Sequence, residues 1–168
     1  MNYFIDTEFN ERPGSIELIS LGITSDSGAS AYWESSEFNE DLCNDWVREN
    51  VLPHLRPVKE RLTLSQIRDS VIKLTEHDQN PVFWAYYGGY DWVVFCWLFG
   101  TMMDLPENFP KLCLDLQQWW IQLGKPDIKQ HDPEFEHHAL VDAQWNRELY
   151  ARLLKEHFKM YGEIPKWR

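Results

Sequence analysis

The chain opens on an apolar, β-prone run, Tyr3-Phe4-Ile5-Asp6-Thr7-Glu8-Phe9, that carries two carboxylates two residues apart. Side chains alternate along an extended strand, so Asp6 and Glu8 project from one face, roughly 6–7 Å apart. Like charges on a buried strand are costly unless something positive lies between them. A divalent cation held by carboxylate oxygens meets that need. On spacing alone a solvated strand end is the simpler explanation, and what shifts the balance is the set of acids further along.

The 168 residues suit one domain, 1–168, able to bury roughly two-thirds of its unfolded surface in a single core. Nine Trp, nine Phe and seven Tyr argue for a packed globule, with a few rings left over to line a cleft. The formal net charge of -11 disfavours a protein that coats duplex nucleic acid, since that needs Lys and Arg on the binding face. It leaves open an enzyme that grips only the end of a strand through metal ions. No basic residue occurs from Leu74 to Pro110, whereas nine fall between Lys111 and Arg168.

Cys43, Cys96 and Cys113 are widely spaced and form no C-x-x-C pair, which fits reduced thiols better than zinc or a disulfide framework. The first strand starts almost at Met1, leaving no room for a signal peptide. The longest apolar run, Trp92 to Phe99, is too short to span a bilayer. A soluble, cytoplasmic protein is expected.

Turn residues at Glu11–Ser15 and Ser25–Gly28 divide the first third of the chain into strands 3–9, 16–24 and 29–34, a meander. Asp45 to Leu55 has helical spacing disturbed by Pro53. Thr63-Leu64-Ser65-Gln66 matches a capping box and opens a helix with Ile67, Val71 and Leu74 or Thr75 on its apolar stripe. A strand from Val82 to Tyr87 ends at Gly88-Gly89, and Tyr90 to Phe99 reads as a buried helix. Lys111 to Leu116 is a candidate fifth strand, followed by a short helix that Gly124 closes. After a polar loop from Lys125 to Glu136, a long helix runs from about Ala139 to Phe158. This order implies an α/β fold whose mixed sheet is antiparallel on one side and parallel beyond, with the first strand in the middle.

Two further acids complete a set. Asp91 follows Gly88-Gly89-Tyr90 at the start of a helix, and Asp142 sits near the start of the last helix, five residues after His137. Either acid alone would serve as a helix cap. Together, four acids and a histidine are the parts for two-metal phosphodiester hydrolysis. Carboxylates hold hard octahedral cations, and an imidazole takes the proton of the attacking water.

These segments resemble the DEDD 3′→5′ exonucleases, specifically the histidine subgroup (DEDDh). Phe4-Ile5-Asp6-Thr7-Glu8 resembles the first motif, Tyr90-Asp91 the second, and His137-His138-Ala139-Leu140-Val141-Asp142-Ala143 the third. The likeness is nearest to the small actinobacterial-type exoribonucleases related to RNase T, through Asp6–Phe9, Ile16–Ser20 and Trp46–Pro53. It spans nearly the whole chain. The resemblance implies a ribonuclease H-like fold and release of 5′-mononucleotides from a single-stranded 3′ end, RNA rather than DNA. It further implies two Mg²⁺ or Mn²⁺ ions held by Asp6, Glu8, Asp91 and Asp142, with His137 as general base and a homodimeric assembly. His138 is a rival to His137, disfavoured by the family's spacing. The chain departs from many relatives in having Gly88-Gly89-Tyr90 where they carry Asn or His with Phe, so their substrate contacts there do not transfer.

Phe9 and Tyr90 are the candidate substrate-binding residues, Phe9 as a stacking surface for the terminal base or, equally, as a lid on the core. Tyr86, Tyr87 and Trp92 are expected in the core, and Trp145 borders the site only if it turns inward. Arg12, Lys125, Lys129 and His131 are loop charges within reach of phosphates if their loops flank the cleft. Asp115 is read as a cap for the short helix after it. Two other classes compete, an exodeoxyribonuclease or endonuclease of the same fold and a non-catalytic nucleic-acid-binding module. Loss of an acid or of the third-motif histidine would mark the last, and none is missing.

Overall fold

The computed structural model describes residues 1–128 and 137–167. Five strands, β1 (Asn2–Arg12), β2 (Ser15–Ser25), β3 (Ser30–Glu34), β4 (Val82–Ala85) and β5 (Leu114–Asp115), form one sheet in the order β3-β2-β1-β4-β5. β1 pairs antiparallel with β2 and parallel with β4, so the meander and the parallel half meet on the expected central strand. Helices α1 (Asp45–Asn50), α2 (Leu64–Thr75), α3 (Gly89–Trp97), α4 (Leu116–Gln122) and α5 (Ala139–Tyr161) complete the chain.

Alternation along β1 sets the layers. Tyr3 and Ile5 enter a core with Leu21, Ile23 and Phe83 from the sheet, Ile67 and Val71 from α2, and Val94 and Phe95 from α3. Phe4 points the other way, into a second core with Trp84, Leu116 and Trp119 of α4, and Leu149 and Leu153 of α5. Much of the aromatic load is spent there: Trp84 packs against Trp119, Tyr150 and Trp167 at centroid separations of 5.6, 5.0 and 5.0 Å. Asp6 and Glu8 share the parity of Phe4 and therefore lie on the α5 side of the sheet.

Several elements are shorter than the sequence pattern suggests. The helix from Asp45 breaks at Asn50 into a 3₁₀ turn over Leu52–His54, because Pro53 supplies no N–H for a continued helix. β4 stops at Ala85, two residues early, where Tyr87 takes a left-handed φ of 55°. β5 is only Leu114–Asp115, since the Asp115 carboxylate already accepts from Gln118 N–H as the N-cap of α4. At α2 both bonds of the capping box form.

α5 lies unusually close to the sheet at Gly22, the residue paired with Asp6 on β2. A Cβ at Gly22 would stand 2.1 Å from the Ala139 carbonyl oxygen and 2.4 Å from the Leu140 nitrogen. Both obstacles are backbone, so no side-chain rotation relieves them. Gly22→Ala is expected to destabilise the fold by about 1–3 kcal/mol through overpacking, read as a lower urea midpoint with an unchanged slope.

Candidate active site

Past Phe4 the ladder between β1 and β4 ends, and the backbone of β1 turns to side chains for partners. The Ile5 carbonyl accepts from Asn146 Nδ2 of α5 at 3.0 Å. The Thr7 N–H and the Thr7 Oγ1 hydroxyl both donate to Asp91 Oδ1 of α3, at 2.8 and 2.7 Å. One edge of one strand thus fixes a helix from each layer. Buried backbone groups must be paired, so these bonds specify where α3 and α5 begin.

Asn146 lies one turn after Asp142. With α5 tied to Ile5, and with Gly22 leaving room beneath Ala139, Asp142 reaches the sheet face bearing Asp6 and Glu8. Carboxylate oxygens of Asp6, Glu8 and Asp142 lie within 4.8 Å of one another. Asp91 is not one of these three; its Oδ1 accepts from Thr7, and its charge acts on Asp6 and Glu8.

Burial drives the electrostatics. The Asp6 carboxyl is held well above the usual carboxylate range, first by burial and then by Asp91, Asp142 and Glu8, all pushing the same way. Burial, with Asp142 and Asp91, lifts Glu8 to about 8. Burial also raises Asp91 to about 6, against the two Thr7 hydrogen bonds, which favour its ionised form. Like charges held this close, on oxygen donors alone, suit a hard divalent cation.

The second-motif turn is held by Asp115. Beyond capping α4, its Oδ2 accepts from the Gly88 N–H at 3.0 Å. Gly88 passes so near Ala85 that a Cβ there would meet the Ala85 Cβ at 2.6 Å. Asp115 therefore caps as expected and also sets the start of α3, and with it Asp91.

His137 precedes α5 with a left-handed φ of 72°, and its N–H donates to Asp142 Oδ2 at 3.0 Å. Its ring meets the Trp46 ring edge-on, centroids 4.7 Å apart. His138 is the N-cap residue of α5, and its ring stacks on Tyr32 at 4.4 Å. The His137 main chain is thus bonded to the acidic centre through its N–H, and the His138 ring faces β3.

No family model matches the chain. Two 3′-5′ exoribonucleases of Mycobacterium tuberculosis, from the Oshkosh and H37Rv strains, are each 39% identical to it over 149 residues, covering 86% of this chain and 88% of the relative. The chain belongs to the family of these 3′-5′ exoribonucleases. Solved structures agree on the ribonuclease H-like fold. The nuclease domain of 3′hExo, a DEDDh family member bound to rAMP, superposes with a TM-score of 0.54 at 13% identity, over 98% of this chain and 94% of that one. A 3′-exonuclease described in recognition of the 3′ end of a histone mRNA stem-loop gives 0.57 at 13% identity, over 92% and 63%. A full-length 3′-exonuclease gives 0.55 at 14% identity, over 92% and 81%.

In this exonuclease Phe9 and Tyr90 form a pair, ring centroids 5.7 Å apart. Phe9 also packs against the core, as the second reading of that residue expects, while Tyr90 is half exposed. Trp92 is core, stacked on Phe95. Trp145 meets Tyr86 edge-on at 5.0 Å, both against the α4–α5 core, whereas Tyr87 is exposed. Arg12 pairs with Glu17 at 3.1 Å, and Lys125 lies over the Trp120 ring, so neither is a free loop charge. Lys129 and His131 lie outside the described residues.

Thr7, Gly22, Asn146 and Trp46 were not singled out by sequence reasoning. Gly22 gave a signal, a glycine inside a strand pattern, which marks close backbone approach. Asn146 gave another, an amide among the apolar positions of the last helix.

In the ion-free enzyme the folded state holds protons on Glu8 that the unfolded chain has released. Stability is therefore full below the ordinary value near 4.5 and lost as pH rises through about 8. Thermal melts of ion-free protein are expected to fall steadily from pH 5 to 8. Glu8→Gln is expected to flatten that slope and raise the melting temperature at pH 8.

Proposed function

We propose that this exonuclease removes nucleotides one at a time from the 3′ end of single-stranded RNA, releasing 5′-mononucleotides. The observation that carries the reading is the convergence of Asp6, Glu8 and Asp142 from β1 and α5 within 4.8 Å, with His137 bonded to one of them. Preference for RNA over DNA is supported by the two exoribonuclease relatives and by the ribonucleotide and the mRNA stem-loop recognised by structural neighbours.

The donor set fits two Mg²⁺ or Mn²⁺ ions. Asp6, Glu8, Asp91 and Asp142 would hold them directly or through water. When bound, such ions polarise the phosphoryl oxygens and acidify a water molecule. The protein's own groups do the rest. His137 accepts a proton from the attacking water through an imidazole nitrogen. The water oxygen then bonds to the terminal phosphorus and the P–O3′ bond breaks. The penultimate sugar leaves with its 3′ oxygen, which takes a proton from solvent. Phe9 and Tyr90, paired ring to ring, would offer stacking surface to the terminal base. Free thiols at Cys43, Cys96 and Cys113 support a cytoplasmic setting.

The test uses 5′-labelled single-stranded RNA and matching DNA with Mg²⁺, Mn²⁺ or EDTA. Mononucleotides from RNA with either ion, none with EDTA, and loss of activity in Asp6→Asn are expected. Faster loss of DNA would make the protein an exodeoxyribonuclease, and internal fragments an endonuclease. An Asp6→Asn variant as fast as wild type would end the site assignment. Phe9→Ala is expected to raise KM about tenfold, the loss of one stacked base.

A further inference from the structure

Two aromatic side chains outside the acidic centre grip the His137–His138 turn, one from α1 and one from β3. The turn needs holding. His137 is not glycine, yet it takes a left-handed φ of 72°, a conformation that persists only where its surroundings over-determine it. The bond from its N–H to Asp142 fixes the main chain, and the ring's direction is a separate matter.

Trp46 supplies that direction. Its ring meets the His137 ring at 4.7 Å and 86°, the edge-to-face arrangement favoured by aromatic quadrupoles. Core packing does not account for Trp46, which is 49% exposed, because α1 is anchored by its neighbour Val47 together with Val51.

Tyr32 holds the other half of the turn. It pairs with Gly22 on β2, which pairs with Asp6 on β1, so all three lie in one row on one sheet face. The missing side chain at Gly22 lets the first turn of α5 settle between Asp6 and Tyr32, and His138 then lands on the Tyr32 ring at 4.4 Å and 26°. The Arg56 guanidinium stands 5.5 Å from the same ring, and the Arg56 N–H donates to buried Glu34 at 2.9 Å, bracing Tyr32 from the sheet side.

We infer that Trp46 and Tyr32 are positioning residues for the reaction: Trp46 aims the His137 imidazole, and Tyr32 anchors the turn through His138. This rests on the reading of His137 as general base. Neither ring touches the reacting atoms, so their removal acts on turnover rather than on substrate or ion binding.

The experiment measures kcat, KM and the Mg²⁺ concentration for half activity on single-stranded RNA, with thermal melts to verify folding. Trp46→Ala and Tyr32→Ala are expected to lower kcat about ten- to a hundredfold. KM and the Mg²⁺ requirement should stay within about twofold. Trp46→Phe and Tyr32→Phe, which keep a ring, are expected to recover most of the rate. The double variant Trp46→Ala/His137→Asn should be no slower than His137→Asn alone. If Tyr32→Ala does not fold, the half-exposed Trp46 pair decides. A dead His137→Asn beside Trp46→Ala and Tyr32→Ala variants with wild-type kcat would overturn the positioning role and spare the base. A raised KM at unchanged kcat would overturn it too, making these rings substrate contacts. A fully active His137→Asn would remove the base assignment beneath it.

Discussion

The bare edge of β1 beyond its ladder with β4 organises this molecule. A central strand that outruns its parallel neighbour leaves backbone groups that must be paired, and here side chains pair them. Asn146 takes the Ile5 carbonyl from one layer, and Asp91 takes the Thr7 N–H from the other. The same bonds that satisfy the strand bring two helices to the two side chains, Asp6 and Glu8, that the strand presents between them. Completing the sheet and assembling the site are one operation.

The site opposes the stability of the fold that builds it. Clustering buried acids raises their proton affinity and costs free energy when they ionise, so they cannot hold themselves together. What holds them lies elsewhere. α5 is anchored two turns beyond Asp142 by Leu149 and Leu153 against Phe4 and the tryptophans of β4 and α4. α3 is anchored by Val94 and Phe95 against Phe83 and Ile5. Each helix is fastened by apolar burial at its far end and delivers its acid at the near end, a division that separates the source of stability from the seat of chemistry.

Sequence showed the strand-borne pair, the order of the sheet and the capping role of Asp115. These depend on local rules: strand alternation, turn residues, motif spacing. It did not show the contacts that join distant stretches. The partnership of Asn146 with Ile5 spans most of the chain, and no period reveals it. The packing of Ala139 on Gly22 depends on how closely a helix approaches a sheet. Trp46 falls in the Trp46–Pro53 segment of the resemblance, but nothing there marks it as a contact of His137, and most of the eight other tryptophans serve cores. Element ends were misjudged where one residue served two elements, as Asp115 does for β5 and α4.

Charge explains why such a chain can act on nucleic acid at all. At -11 overall, with acids focused at the centre, the protein's field repels phosphate rather than collecting it. Attraction must then come from cations that the acids recruit, and those sit at one point, not along a groove. A strand held at a single point gains nothing from length, so binding selects the phosphate that can enter the centre. On these terms preference for an end over the interior of a strand follows from electrostatics, because an interior segment would bring more phosphates near an acidic surface with no cation to meet them.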